Sequence, residues 1–280
     1  MDTPRDTTRD PARDQPSPIS RRKREIASLI RQSGKVAVDE LAARFGVTAQ
    51  TIRRDLTELS DARMILRTHG GAIVASGVEN LAYDARKLVA HSAKRRIGEA
   101  CARLIPDHSS LFINLGTTTE EVGQAIAGHN GLLVVTNNIN VANALYRNNS
   151  ISVIIAGGTI RASDGGIVGR MAAEVIRQFK VDIAVIGTSA IDEDGTLLDY
   201  DLREVQVSRA IIENAHRVVL VTDSSKFSRR APVRIGRLDE IDVLVTDRLP
   251  SPAIAEICHS LKIEVIETED GEEAAELPEG

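Results

Sequence analysis

The feature of this sequence that most limits what the chain can fold into is the stretch from Lys35 to Leu59, KVAVDELAARFGVTAQTIRRDLTEL. In its first half Leu41 and Phe45 lie four residues apart, which predicts a short helix with one apolar face. Gly46 follows directly, and glycine tolerates the positive φ that a tight corner requires. The sequence therefore predicts a short helix that ends in a sharp turn.

A second short helix follows the turn. Ile52, Leu56 and Leu59 recur at i, i+4 and i+7, which is the spacing of one buried helical face. Thr48 precedes them and is placed to cap the helix, because its hydroxyl can accept a hydrogen bond from a free backbone N–H. The whole stretch is therefore predicted to be a helix-turn-helix.

The opposite face of the second helix is polar and basic, with Gln50, Arg53, Arg54 and Thr57. In the DNA major groove Arg bonds bidentately to guanine, Gln to adenine, and Thr contacts a methyl group or a phosphate. The alternative is a solvated basic face in an ordinary helical bundle. The turn, the cap, the apolar face and the arginine pair occur together, and this combination favours DNA binding.

Charge is distributed unevenly along the chain. The formal net charge is −5, which by itself argues against a nucleic-acid binder. Between Arg21 and Arg67, however, 11 Lys and Arg residues outnumber 6 Asp and Glu residues, a net of +5, so the remainder carries −10. A basic module on an acidic body is expected when only one end meets phosphate. The run from Arg21 to Arg24 lies along a DNA backbone or is plain solvated surface, and the sequence leaves both open.

A hairpin is predicted directly after the helix-turn-helix, from Met64 to Val74, where two β-prone runs flank a Gly-Gly turn. A hairpin in this place is the wing of a winged helix. Arg67 and His69 fall near its tip, within reach of phosphate or the minor groove; for His69 the alternative is turn geometry alone. The predicted DNA-contacting residues are Thr48, Gln50, Thr51, Arg53, Arg54, Arg67 and His69.

The rest of the chain alternates Val/Ile/Leu-rich strands with helices. The predicted strands are Ser110 to Asn114, Leu132 to Val135, Ile151 to Ile155, Ile183 to Ile186, Val218 to Val221, Ile241 to Val245 and Ile263 to Ile266. Near-continuous apolar strands separated by helices predict a mostly parallel, Rossmann-like α/β sheet that is covered on both faces.

Polar residues follow the first five of these strands, at the edge of an open α/β sheet where ligands bind. In LGTTTEEVG, Gly116 lets a ligand approach the backbone, and the helix N-terminus and three hydroxyls after it suit a phosphate. Threonines also cap helices, so that alternative stays open. Lys226 supplies a point charge after the fifth strand or is simply an exposed lysine. The glycine-dense stretch from Ser163 to Gly169 is a loop over the site or an ordinary turn.

Several other classes of site lack their motifs. There is no Walker lysine, no G-x-S-x-G and no Cys/His metal spacing, so no metal or cofactor is expected. Acids stand near the site (Asp192, Glu193, Asp194, Asp199 and Asp201), but no pair of them demands acid/base chemistry. The two cysteines make no disulfide framework. The sequence contains no run of about 18 apolar residues that could span a membrane, and its N-terminus does not resemble a signal peptide. The chain is therefore expected to be cytoplasmic.

The N-terminal motif, VDELAARFGVTAQTIRRDL followed by ILRTHGGA, resembles the DNA-binding domain of DeoR-family bacterial transcription regulators. The stretches LFINLGTTTEEV, VTNNINVANAL and VIIAGGTIRASDGGIVG resemble that family's sensor domain, and so does the segment from Ile191 to Phe227. The resemblance covers about residues 22 to 248. It implies a winged helix-turn-helix and a sensor domain related in fold to ribose-5-phosphate isomerase and the coenzyme A transferases.

The resemblance also implies positions for a bound phosphorylated effector. The phosphate would lie on Gly116, Thr117, Thr118 and Thr119, the pocket would be lined by Asn137, Asn138, Gly157, Gly158, Gly165 and Gly166, and Lys226 would lie opposite. The implied effector is a sugar phosphate or related three-carbon metabolite, first of all glycerol 3-phosphate. The implied partners are double-stranded operator DNA and further copies of the chain in a dimer or tetramer.

The main hypothesis is therefore a repressor of sugar-catabolic genes that its effector releases from DNA. The rival is a sugar-phosphate isomerase or transferase with an appended DNA-binding domain, and a weaker third is an activator of the same architecture. The predicted domains are a disordered extension (1–17), the winged helix-turn-helix (18–75), a linker (76–90), the sensor domain (91–268) and an acidic tail (269–280).

Overall fold

The computed structural model describes residues 21–33, 35–61, 65–68, 71–74, 83–250 and 252–268. The chain divides into two compact units, Met1–Ala75 and Ser76–Gly280. The predicted N-terminal extension, the acidic tail and the proposed wing residue His69 all lie outside the described residues.

The first unit is a winged helix-turn-helix, as the sequence predicts. Its elements are α1 (Arg21–Ser33), β1 (Lys35–Ala37), α2 (Val38–Phe45), α3 (Ala49–Asp61), β2 (Ile65–Thr68) and β3 (Gly71–Val74). The hairpin strands β2 and β3 pair antiparallel, and the three-stranded order is β1-β3-β2. The strand β1 was not predicted. It consists of only three residues, and Lys35 pairs with Ile73 of the hairpin.

Local geometry in this unit follows the predicted roles of its turn residues. Gly46 ends α2 in the left-handed region at φ 62°, and the Thr48 hydroxyl accepts a bond of 3.2 Å from the backbone N–H of Thr51 at the start of α3. The apolar faces meet in one core. Its buried residues include Ile26, Ile30, Leu41, Ile52, Leu56, Leu59 and Ile65. The packing of these three helices and the first hairpin strand fixes which face of α3 is left outside.

The second unit is built on a seven-stranded sheet whose pairings are all parallel. Its strands are β4 (Ser110–Ile113), β5 (Leu132–Thr136), β6 (Ile151–Ile155), β9 (Val181–Ile186), β12 (Ala215–Val221), β14 (Val243–Thr246) and β15 (Glu264–Glu267). Its helices are α4 (Tyr83–Leu88), α5 (His91–Ala102), α6 (Thr117–Ala125), α7 (Ile139–Leu145), α8 (Arg170–Ile176), α9 (Leu202–Glu213) and α10 (Pro252–Ser260).

The strand order is β15-β14-β12-β9-β4-β5-β6. From β4 the chain first builds outward through β5 and β6 and then returns to place β9 on the other side of β4. The strand order therefore reverses at β4, and such a switch point leaves a crevice beyond the carboxyl ends of the strands. Apolar side chains cover both faces: Phe112 packs in one core, while its neighbours Leu111 and Ile113 pack in the other.

Two smaller antiparallel sheets complete this unit, and the sequence does not predict their strands. One is a hairpin of β7 (Thr159–Arg161) and β8 (Gly166–Val168). The other has the order β10-β11-β13, formed by β10 (Ala190–Ile191), β11 (Thr196–Asp199) and β13 (Val233–Arg237). The glycine-dense stretch is thus the turn and second strand of a hairpin, with Gly165 at φ 72°.

Part of the segment predicted as a linker is helical. The mixed polarity and weak periodicity of Ser76 to Ala90 predict a linker, but Tyr83–Leu88 forms α4. The helix is fixed by tertiary contacts: the Tyr83 hydroxyl donates to Glu120 Oε2 at 2.7 Å, and Arg86 Nη2 lies 3.1 Å from Asp164 Oδ2. Contacts of this kind have no local sequence pattern.

The two cysteines are free and buried, and burial raises the pKa of the Cys101 thiol to about 12. No helix within the described ranges is long and apolar enough to cross a membrane.

A close approach of two helices gives the first prediction. A Cβ at Gly98 of α5 would lie 2.7 Å from the backbone carbonyl carbon of Glu121 on α6. The Gly98→Ala variant must therefore push the helices apart, and we expect it to lower the free energy of unfolding by about 1–3 kcal/mol. Urea unfolding measures the change. Gly128→Ala is the matched control, because its Cβ meets nothing within 4 Å, and equal stabilities of the two variants would contradict the prediction.

Candidate functional sites

The outer face of α3 is the candidate DNA-contacting surface. Gln50, Arg53 and Arg54 are exposed there and Thr51 is half-buried, while Ile52 on the opposite side is fully buried. The predicted residues of this helix therefore share one accessible face. Thr48 is also exposed, but its hydroxyl is used in capping the helix.

Ion pairs hold α3 against α1. Arg22 Nε lies 2.6 Å from Asp55 Oδ2, and Asp55 is buried. Lys23 forms an ion pair with Glu58. Arg22 and Lys23, two cations of the basic run that starts at Arg21, thus form ion pairs within the protein. These two side chains are therefore not plain solvated surface.

The two arginines of α3 differ in their partners. Arg54 Nε lies 3.3 Å from Glu58 Oε1, whereas Arg53 has no side-chain ion pair or hydrogen bond to another described residue. Arg53 is therefore the less constrained donor. Arg67 lies in β2, on the predicted wing, and the structure describes its backbone only.

The second candidate site is a cavity at the carboxyl ends of β4, β9 and β12, which are adjacent in the sheet. It encloses about 410 Å³, including the space at its open mouth. Its lining residues are Arg86, Leu115, Gly116, Thr117, Thr118, Gly187, Thr188, Ser189, Asp199, Glu204, Val221, Thr222 and Lys226. This is the position at which the strand order reverses.

The N-terminus of α6 forms one wall of the cavity. Gly116 precedes the helix at φ 147°, a backbone conformation that side chains other than glycine rarely adopt, and Thr117 and Thr118 open the first turn. Backbone N–H groups of a first turn have no partner within the helix and favour an anion. Thr119 is different: its hydroxyl donates to the carbonyls of Asn114 and Gly116 at 2.7 and 2.8 Å, so it fixes the loop.

Lys226 supplies a buried cation. Lys226 is only 8% exposed, and its ammonium has no hydrogen-bond or salt-bridge partner among the residues that the structure describes. Burial lowers its pKa well below the ordinary value, and Arg229 acts in the same direction while Asp223 opposes it. An anion in the cavity would relieve this burial cost, because an opposite charge favours the charged lysine.

Carboxylates line another part of the cavity. Asp199 accepts a bond of 3.1 Å from the Ser189 hydroxyl, and burial raises its pKa. Burial and the neighbouring Asp199 raise the pKa of Glu204 to about 7, although Arg161 Nη2 lies 2.6 Å from Glu204 Oε2. The cavity therefore combines a cationic and a carboxyl-lined part.

Sequence reasoning missed several of these lining residues. Arg86 belongs to α4, within the segment that the sequence predicts as a linker, and Glu204 has no motif to mark it. The sequence marks Asp199 as an acid near the site but gives it no role. A search for charged residues near the polar strand ends would have found Glu204, because it follows Asp199 closely in the sequence. No local signal points to Arg86.

Other predicted residues lie outside the cavity lining. Asn137 Nδ2 donates to the Ile167 carbonyl at 3.1 Å, and Asn138 caps α7 by accepting from the Asn140 N–H at 2.9 Å. Both are fully buried. The predicted glycines are Gly157, Gly158, Gly165 and Gly166; the first two are exposed, and the last two belong to the hairpin that packs on these asparagines.

No group of three or more His, Cys, Asp and Glu side chains in the described ranges is placed to hold a metal ion. The chemistry that the cavity offers is therefore carried by backbone N–H groups, hydroxyls, two cations and two carboxyl groups.

The pKa of Glu204 gives a pH prediction. Between its ordinary value of 4.5 and about 7, folded Glu204 keeps a proton that the unfolded chain has lost. The free energy of unfolding therefore falls as pH rises through this window, by up to about 1.4 kcal/mol per pH unit. Glu204→Gln removes this dependence, so its stability relative to the original chain should rise from about pH 5 to about pH 8 in urea unfolding.

The control for this measurement is Glu174→Gln, at an exposed glutamate that pairs with Arg177 at 3.0 Å. This variant should keep the pH dependence of the original chain. Parallel pH profiles of the original chain and Glu204→Gln would show that Glu204 does not titrate in this window.

Comparison with known proteins identifies the family. Residues 22–78 match the DeoR-like helix-turn-helix domain, and residues 89–248 match the DeoR C terminal sensor domain. The glycerol-3-phosphate regulon repressor of Escherichia coli strain K12 is 43% identical over 86% of this chain and 96% of its own. That of Haemophilus influenzae is 47% identical over 82% and 90%. Ribose 5-phosphate isomerase from Plasmodium falciparum aligns with a TM-score of 0.37 at 12% identity, over 49% of this chain and 53% of its own. The two matched domains and the identity over most of the chain show that this protein belongs to the DeoR family.

Proposed function

We propose that this chain is a DNA-binding transcriptional repressor of glycerol 3-phosphate or sugar catabolic genes, and that a phosphorylated effector releases it from its operator. Glycerol 3-phosphate is the first candidate effector. The observation that carries the proposal is the cavity in which an open helix N-terminus and a buried, unpaired lysine share one space. The similarity to the glycerol-3-phosphate regulon repressors of Escherichia coli and Haemophilus influenzae supports the same function.

A phosphate matches the cationic part of the cavity. The first-turn N–H groups of α6 and the hydroxyls of Thr117 and Thr118 are donors, and Lys226 adds a positive charge. Helix N-termini stabilise anions by roughly 0.3–1 kcal/mol, and by more when the site is partly buried. A dianion held here would also raise the lowered pKa of Lys226.

The carboxyl-lined part of the cavity suits the remainder of such an effector. Asp199 and Glu204 are acceptors for hydroxyl groups, and Ser189 beside them both donates and accepts. A second anionic group at this end would meet two carboxyl groups. The arrangement therefore favours a polyol phosphate over a phosphorylated carboxylic acid.

The outer face of α3 supports the DNA-binding half of the proposal. It presents Gln50 and two arginines on a helix that two ion pairs join to α1. A single module of this kind buries little surface, so tight binding is expected to need a homo-oligomer on paired half-sites. Sedimentation of the full chain measures this, and a monomer on one half-site would contradict it.

An enzyme is the second candidate, because the cavity holds carboxyl groups with raised pKa values and a buried lysine. Groups of this kind occur in active sites, although a shared fold does not imply a shared activity. Turnover separates the two functions: incubation with ribose 5-phosphate and other sugar phosphates should yield no isomer or transfer product. Product formation that Glu204→Gln abolishes would favour the enzyme.

Release from DNA requires a difference in affinity. The effector must bind the DNA-free conformation more tightly than the DNA-bound one, because equal affinity for both shifts nothing. Release is therefore tested on operator complexes rather than by effector binding alone.

The first functional prediction concerns Arg53. Replacing a base-reading arginine by alanine should weaken operator binding by about 1–3 kcal/mol and relax specificity at one position. The measurement is fluorescence anisotropy on an operator selected in vitro with the full chain. Arg95→Ala is the control, because Arg95 is an exposed arginine of α5 in the other unit. Equal binding by both variants would remove Arg53 from the contact surface.

The second functional prediction concerns Thr118. A glutamate there would repel and crowd a phosphate at the start of α6 without entering the sheet core. Thr118→Glu should keep operator binding but resist release by millimolar glycerol 3-phosphate, followed by DNA anisotropy. Thr159→Glu, at an exposed threonine outside the cavity lining, is the matched control.

The outcomes of this titration are separable. If the original chain stays on DNA at millimolar glycerol 3-phosphate, that effector is wrong. If Thr118→Glu is released as readily as Thr159→Glu, the phosphate does not bind at the α6 N-terminus.

A further inference from the structure

Arg86 stands apart from the other cavity residues in its place in the chain. It lies in α4, between the matched helix-turn-helix residues 22–78 and the matched sensor residues 89–248, so neither family domain includes it. Its side chain is 14% exposed and lines the cavity together with Thr117, Thr118 and Lys226. A cation from the segment between the two domains therefore reaches the candidate effector site.

The guanidinium of Arg86 is incompletely satisfied. One nitrogen, Nη2, lies 3.1 Å from Asp164 Oδ2. Buried Nε has no hydrogen-bond partner among the residues that the structure describes. Asp164 is moreover shared, because Arg161 makes bonds of 2.9 and 2.7 Å to its two oxygens. A single carboxylate thus faces two arginines, and donors of Arg86 remain available to an acceptor in the cavity.

Arg86 and Lys226 place two like charges at the same cavity. Burial has the largest lowering effect on the pKa of Lys226, followed by Arg229 and Lys94, and Arg86 adds a smaller lowering effect. Two cations that line the same buried space repel each other, and their attraction to a bound anion would offset that repulsion. A planar fork of donors also suits the oxygens of a phosphate.

The backbone of α4 is fastened to the sensor unit on several sides. The Lys94 ammonium donates to the Arg86 carbonyl, and the Tyr83 hydroxyl donates to Glu120 and accepts from Asn140 at 2.9 Å. These contacts fix the helix beside the cavity. In the other direction along the chain, only residues 75–82 separate α4 from the last strand of the winged helix.

We infer that Arg86 is an additional ligand of the effector's phosphate, and that it couples occupancy of the cavity to the segment that leads into the DNA-binding unit. This inference rests on the proposed function, because it assigns a residue to the same phosphate site. Effector binding draws Arg86 away from its shared carboxylate Asp164 toward the phosphate. The change thereby acts on α4, the first helix that follows the wing in the described part of the chain.

The binding test uses the full chain without DNA. Arg86→Gln removes the charge and the fork, and the matched control is Lys87→Gln, at an exposed neighbour in the same helix whose ammonium is 3.9 Å from Glu120. Calorimetric titration with glycerol 3-phosphate should show affinity reduced about 10- to 100-fold in Arg86→Gln and little changed in Lys87→Gln. Melting curves without ligand verify that each variant is folded, and Arg86→Lys, which keeps the charge, should lose less affinity.

The coupling test uses operator complexes. With effector raised until each variant is saturated, the ratio of operator affinities without and with effector should be clearly smaller for Arg86→Gln than for the original chain and for Lys87→Gln. A ratio equal to that of the original chain would overturn the coupling, and an unchanged effector affinity would overturn the phosphate contact.

Failure of the proposed effector is distinguishable from failure of this inference. If the original chain does not bind glycerol 3-phosphate, the effector assignment fails, and the same titrations are then made with inorganic phosphate. Phosphate binding that is equal in the original chain and in Arg86→Gln would overturn the role of Arg86, and binding that is weakened in Arg86→Gln alone would support it.

Discussion

Parallel strands cannot be joined by tight turns, and this constraint organises the whole second unit. Each connection must cross a face of the sheet, so the helices cover both faces and the strands are apolar along nearly their whole length. Polar groups are then confined to the strand ends. Because the chain builds outward from β4 on one side and returns on the other, the ends of β4, β9 and β12 remain uncovered by their own connections. The cavity lies at that opening.

The electrostatics of the cavity follow from burial more than from any single pair. Lys226 and Glu204 are both buried, and in both cases burial shifts the pKa toward the neutral form, downward for the lysine and upward for the glutamate. Burial therefore destabilises the charged form of both groups. An anion bound beside Lys226 would raise the pKa of that lysine, so a site of this kind responds to the charge of its ligand as well as to its shape.

The sequence predicts those parts of the structure that repeat with a regular period or depend on one local conformation. The apolar spacing of Ile52, Leu56 and Leu59, the left-handed turn at Gly46 and the apolar strands all have such signals. Where residues from distant segments meet, local signals fail: α4 is held by Tyr83 and Arg86 through contacts with Glu120 and Asp164, 37 and 78 residues further along the chain. Local signals also fail to distinguish the three adjacent threonines at the start of α6. Their hydroxyls look equivalent in sequence, but the hydroxyl of Thr119 points inward and donates to backbone carbonyls.

The ion pairs between α1 and α3 also bear on how the protein responds to salt. Arg22 and Lys23 already pair with Asp55 and Glu58, so they are not available to neutralise DNA phosphates. They therefore release few of the counterions condensed on DNA and contribute little to the salt dependence of binding. The count of 11 Lys and Arg residues between Arg21 and Arg67 therefore overstates the number of phosphates that this segment can neutralise. A plot of log affinity against log salt concentration should have a slope that reflects the exposed arginines, while the internal pairs set how firmly α3 is held.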